Sequence, residues 1–187
     1  MYATITDKNG DKIMFRCFGQ FSIEYQGVYL NLRIKKSREI LAFLLMERGR
    51  PIVKKRVAET LWADKEPAKA AGCFYKSLCR LSEEIKSYGA AFPLRSSGNL
   101  IWLDMRFIES DVTQFEELCK KNDPAAFRAA AALYTSPFLS KEDYEWTEQW
   151  QAYYDFKYVN VIQKLIGYYE TENPRLANYY KKVQYRI

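Results

Sequence analysis

The sequence predicts an α+β chain: a leading antiparallel sheet, three helices and a β-hairpin, followed by an all-α second half. Three observations carry that prediction. The apolar period changes from two to about 3.6 near Lys36, and returns to two between residues 94 and 103. Beyond residue 104 only helical spacing is found. The charge divides at the same place: residues 1–104 hold 18 Lys and Arg against 11 Asp and Glu, a net of +7, and residues 105–187 hold 11 against 12, a net of −1. The whole basic excess of the chain, +6, therefore belongs to the first part, as expected of a nucleic-acid-binding part joined to a neutral one.

Composition bounds the rest. The 187 residues are 48% hydrophobic and 16% aromatic, which excludes a disordered chain and allows one or two domains. No apolar run reaches the roughly 18–20 residues of a membrane-spanning helix. The opening MYATITDKNGDK is too polar for a secretion signal. The expected compartment is therefore cytoplasmic. Histidine is absent, which removes His-based acid–base catalysis, His metal sites and Ser-His or Cys-His nucleophiles. Cys17, Cys73, Cys79 and Cys119 form no CxxC pair, so neither zinc nor disulfides are expected. The acid pairs Glu83-Glu84 and Glu116-Glu117 are neighbours on helices and point in different directions. No enzyme activity, cofactor or metal is expected.

The elements follow in order. Residues 13–25, IMFRCFGQFSIEY, are two alternating runs broken at Gly19-Gln20, and Gln26-Gly27 turns the chain before VYLNL. They predict three or four short antiparallel strands. A first helix starts near Lys36, with Ile40, Leu41, Leu44 and Leu45 inward, and stops at Gly49 and Pro51. A second covers about residues 54–62, with Val57, Ala58 and Leu61 inside. Pro67 opens a third, to about Ser87, and Tyr88-Gly89 ends it. Its buried stripe is Phe74, Leu78, Leu81 and Ile85. Nearly opposite run Lys69, Cys73, Lys76 and Arg80, spaced 4, 3 and 4, a basic face that fits a major groove. Leu94-Arg95, a Ser96-Ser97-Gly98-Asn99 turn and residues 100–103 make the hairpin.

This order, sheet then three helices then hairpin, is that of a winged helix-turn-helix over residues 13–104. The second and third helices form the helix-turn-helix and the hairpin is the wing. Candidate DNA contacts are Lys69, Cys73, Tyr75, Lys76 and Arg80 on the third helix, Lys54 and Lys55 at the start of the second, and Arg95 on the wing, which would reach the adjacent backbone or minor groove.

In the second half, residues 111–119 and 124–134 read as two helices, with alanines at close-packing spacing (Ala125, Ala126, Ala129, Ala130). A long helix from about Tyr144 to Glu170 places Trp146, Trp150, Tyr153, Val161, Leu165 and Tyr168 near one face as core. Asn173-Pro174 breaks the chain before a further helix. Ten of the fifteen tyrosines lie here, more than one helical hairpin's core uses, which points to a partner surface.

The segment of residues 15–70, continuing through CFYKSLCRLSEEI, resembles the OmpR/PhoB-type winged helix of SARP-like regulators. These bacterial transcription factors join that domain to a bacterial transcriptional activator domain of TPR-like helices. The second half carries matching features: Asp111 and Phe115, the Tyr134, Phe138 and Leu139 turn, and Trp146 before a long helix. The resemblance covers about residues 13–172. It implies a sequence-specific DNA-binding regulator of transcription, with a TPR-like domain over residues 105–187 that is short for a repeat array, whether as a small member or as part of a longer protein. It also implies contact with RNA polymerase through residues 63–66 and head-to-tail homodimers on direct repeats. The alternative is a protein-interaction module whose winged helix has lost base-specific reading. Glu83 and Glu84 after Arg80-Leu81, and Gly72-Cys73 near the helix start, favour it.

Overall fold

A computed structural model of the chain describes residues 12–86 and 92–184. It is a mixed α+β structure with sheet near the N-terminus and helices after it, and it divides into two compact units. The first comprises residues up to Phe15 and Ser22–Glu109, and the second Arg16–Phe21 and residues from Ser110 on.

The first unit begins with β1 (Ile13–Arg16), β2 (Ser22–Tyr25) and β3 (Val28–Tyr29). With β7 (Ile108–Ser110) they form a four-stranded sheet in the order β3-β2-β1-β7. The two-residue turn between β2 and β3 places Gln26 and Gly27 at φ 50° and 76°, the left-handed pair that matches strand twist in a tight hairpin. Ile13, Phe15 and Ile23 are buried.

Helix α1 (Lys35–Met46) is the centre of this unit. Its residues from Glu39 to Met46 are all buried. The chain leaves it through Arg48 and Gly49, both at positive φ. A Cβ at Gly49 would stand 2.9 Å from Met105 Cγ, so glycine is required there for space as well as for φ. Two residues then form β4 (Ile52–Val53), a strand that the sequence pattern did not reveal. It pairs antiparallel with β6 (Leu100–Leu103), Ile52 opposite Ile101. Helix α2 (Lys54–Leu61) follows, then α3 (Pro67–Lys86). The expected stop at Tyr88-Gly89 lies outside the described residues. Strand β5 (Leu94–Ser97) pairs with β6 from Leu94↔Leu103 to Ser97↔Leu100, giving the order β4-β6-β5. Ser96 and Ser97, expected in the turn, thus belong to the strand. The turn is Gly98-Asn99, with Gly98 at φ 55°.

The second unit contains α4 (Asp111–Lys120), α5 (Pro124–Leu133), α6 (Glu148–Glu172) and α7 (Pro174–Gln184), each packed on the next. Ser110 and Asp123 cap α4 and α5, accepting from the backbone N–H of Thr113 and Ala126. In α5 the buried residues are Ala126, Phe127 and Ala130, while Ala125 and Ala129 face outward. The long helix starts at Glu148, after a 3-10 turn at Glu145–Thr147 that holds Trp146. Its buried face is Tyr154, Tyr158, Val161, Ile162, Leu165 and Tyr169. Tyr153 and Tyr168, expected inside, are 40% and 45% exposed.

Segment Arg16–Phe21 belongs to this unit through an edge contact. Phe18 bridges Phe138, the N–H of Leu139 donates to the Cys17 carbonyl at 2.7 Å and the N–H of Gly19 to that of Pro137 at 3.1 Å. The Asp111 carboxylate accepts the N–H groups of Cys17, Phe18 and Val112 at 2.8–3.0 Å. The Phe18 ring meets Tyr134, Phe115 and Tyr154 at 4.9, 5.3 and 5.5 Å. Among the described residues no helix is long and apolar enough to cross a membrane.

Candidate nucleic-acid interface

Helix α3 buries Ala70, Phe74, Leu81 and Ile85. At about 100° per residue, Lys69, Lys76 and Arg80 fall within roughly 40° of one another and about 140° from that buried face. All three are exposed. Among the described residues none of them forms an ion pair with a carboxylate. Cys73, between them, is half-buried. Tyr75 is 52% exposed but lies well round the helix, its ring edge-on to Phe74 at 5.5 Å.

The orientation of α3 is set by Trp62, which is buried at the end of α2 and meets Phe74 in a T-shaped contact at 6.3 Å. Lys36 holds this corner. Its ammonium donates to the Leu61 carbonyl at 2.7 Å, pairs with buried Glu39 at 2.8 Å and sits 4.7 Å from the Trp62 ring centroid. Lys36 is a positioning residue that motif reading did not single out, although the Lys36/Glu39 spacing was visible. The turn at residues 63–66 is exposed. There the Lys65 ammonium, hydrogen-bonded to Asp64 at 2.8 Å, holds the Asp64 carboxyl below its ordinary range.

The other candidates are placed differently. Lys54 is the first residue of α2, directly after Val53 at the capping position. Its backbone N–H donates to the Asn99 carbonyl at 2.8 Å and its ammonium to the Gly98 carbonyl at 2.7 Å. The hairpin turn therefore serves the helix start that lacks a side-chain cap. Lys55 is exposed and loosely paired with Glu59 at 3.7 Å. Arg95 is half-buried in β5, donating to the carbonyls of Phe92 and Leu94 and lying 3.8 Å from Asp104. Asp104 is itself gripped by Arg106 at 2.7 and 2.9 Å, which holds its carboxyl below the ordinary range.

The two acids after Arg80 also differ. Glu84 is half-buried and accepts the Arg33 N–H at 2.9 Å, which ties it to the segment before α1. Glu83 is exposed and stands on the same outer face as the three cations. Among the described residues no group of three or more Cys, Asp or Glu could hold a metal ion.

Among solved structures, the chain is similar to one described as Mycobacterium tuberculosis EmbR in complex with low affinity phosphopeptide, at a TM-score of 0.70 and 15% identity over 91% of this chain. That likeness shows a shared fold. The chain spans about half of that structure, 51% of its length. No protein-family model and no curated protein matches the chain.

Proposed function

We propose that the chain is a DNA-binding regulator of transcription whose first unit is a winged helix-turn-helix. In this reading α2 and α3 are the helix-turn-helix, α3 enters the major groove, and the β5–β6 hairpin is the wing. The observation that carries it is the row of three exposed cations on α3, opposite a buried face and, among the described residues, none of them ion-paired. From Lys69 to Arg80 the row extends about 16 Å, close to five base-pair steps. Lys76 and Arg80 can reach guanine edges or phosphates, Lys69 and Lys55 phosphates. Lys54 and Arg95 act indirectly: one fixes the hairpin turn to α2 and the other holds the base of β5. The fold shared with EmbR and the resemblance to SARP-like regulators agree with this assignment. The resemblance further suggests residues 63–66 as the candidate contact with RNA polymerase, direct repeats as the candidate operator, the second unit as a TPR-like activator domain, and the cytoplasm as the site of action. No catalytic step or cofactor is part of the proposal.

The test is a titration of labelled duplex DNA, starting from sequences selected out of a random pool. The affinity should fall with salt at a log–log slope of about −3 to −5, one counterion per phosphate neutralised. K76A/R80A should weaken binding by about a hundredfold at moderate salt, two charge-assisted contacts being lost. Binding that ignores salt, or a double variant that binds like the wild type, would sink the assignment. A second reading, a protein-interaction module, is favoured by Phe156, Tyr179, Tyr168 and Tyr153, which are 40–67% exposed. Light scattering and pull-down with and without DNA separate the two.

A further inference from the structure

We propose that the helical unit binds a small organic anion, a phosphate or carboxylate head on a short apolar body, in the pocket where Lys157, Asn160 and Lys164 of α6 face Phe127, Val161 and Cys119. The three polar residues stand at i, i+3 and i+7, one face of the helix. Each is a hydrogen-bond donor, and among the described residues none has a protein acceptor. The Lys164 ammonium lies 4.7 Å from the Phe127 ring centroid and that of Lys157 4.9 Å from Tyr153. Aromatic faces thus position both cations without neutralising them. The floor is apolar: Phe127 and Val161 are buried, and Cys119, which also lines the pocket, is half-buried. Burial pushes the Cys119 thiol up, and the largest opposing pulls come from Lys157 and then Lys164, so both charges bear on that floor. Glu116, whose carboxylate accepts the Tyr154 hydroxyl at 2.7 Å, adds to the rise as the weakest of these influences.

Two unneutralised ammonium groups and an amide over an apolar floor are complementary to an anion with an apolar part. The pocket measures about 140 Å³, ample beside the roughly 10–15 Å³ that one water needs on the same measure. The larger pocket beside Tyr134 and Tyr158, of about 240 Å³, has its carboxylate, Asp155, already engaged by the Tyr134 hydroxyl. It offers no comparable unmet charge.

The experiment is calorimetric titration of the full chain with phenyl phosphate, benzoate, inorganic phosphate and phenol. Phenyl phosphate or benzoate should saturate one site, and the tighter of the two identifies the head group. Inorganic phosphate should bind about tenfold more weakly for want of the apolar contact, and phenol should not bind measurably. K157Q/K164Q should weaken the site by at least about tenfold, whereas K182Q, which removes a positive charge that does not line the pocket, should leave it unchanged. Bound ligand should slow alkylation of Cys119 but not of exposed Cys79. Lys164 is exposed and Lys157 only half-buried, and circular dichroism of the double variant should match the wild type. The proposal is overturned if neither anion binds, if phenol binds as well as they do, or if K182Q weakens the site as much as the double variant.

Discussion

Asp104 shows how much a single side chain can do beside a candidate interface. Its carboxylate is gripped by Arg106 and flanked by Arg95, so its pKa lies below the unfolded value of about 3.9. A carboxyl with a depressed folded-state pKa contributes stability above the unfolded value and loses it as pH falls through the folded one. The Arg106 side chain is 80% exposed, which limits the gain to about 1 kcal/mol. Asp104→Asn should therefore cost about that much at pH 7 in urea unfolding, with the gap closing as pH falls below about 3.9 and through the folded-state pKa; a gap that persists once Asp104 is protonated would assign the loss to packing instead of charge. Residues of this kind mark where sequence reading succeeds and where it stops. Lys69, Lys76 and Arg80 were legible because exposure on a helix follows a fixed period. The engagement of Lys54 and Arg95 was not, because their acceptors are carbonyls of the hairpin and of the strand entry, whose positions depend on tertiary structure. Glu84 hid its tie to Arg33, 51 positions away, for the same reason.

Among elements, α3 carries an avoidable weakness. Gly72 sits in its interior on the exposed side, with nothing within 4 Å of where a Cβ would stand. Gly72→Ala should raise stability by about 0.8–1 kcal/mol through helix propensity alone, with circular dichroism melts as the measure. A loss of stability would mean that the open space is occupied by something else in solution. Long elements with strong periods were readable: α1, α2, α3 and α7 begin within a residue or so of expectation. Strand β4 was not, since two residues between Pro51 and a helix carry no pattern. In α6 Val161 and Leu165 are buried as expected, but two tyrosine positions of the face were misplaced by one residue, because Tyr153-Tyr154 and Tyr168-Tyr169 are tandem pairs. Hydropathy cannot choose between adjacent identical side chains. The choice is made by partners, as when Tyr154 donates to Glu116 and Tyr158 stacks on Tyr134 at 4.2 Å.

For the molecule as a whole, the chain passes from the first unit to the second, back, and out again. Nothing local announces this, because Asp111 is 93–94 positions from the amides it accepts and Glu142 is 121 from Phe21. A piece covering residues 105–187 should consequently lack the Phe18 ring from its core and leave Asp111 without two of its donors. Its near-ultraviolet dichroism should be weak and should recover when a peptide spanning residues 14–23 is added. A fully native spectrum without the peptide would show that the segment is dispensable. The same connectivity has a consequence for synthesis. At about 5–20 residues per second, roughly 6–24 s separate the emergence of Phe21 from that of its partner Glu142. Throughout that interval Phe18, an aromatic that the native state buries, is left without its pocket. A nascent chain of this protein thus presents a hydrophobic segment that must wait, through more than a hundred further residues, for the half that shelters it.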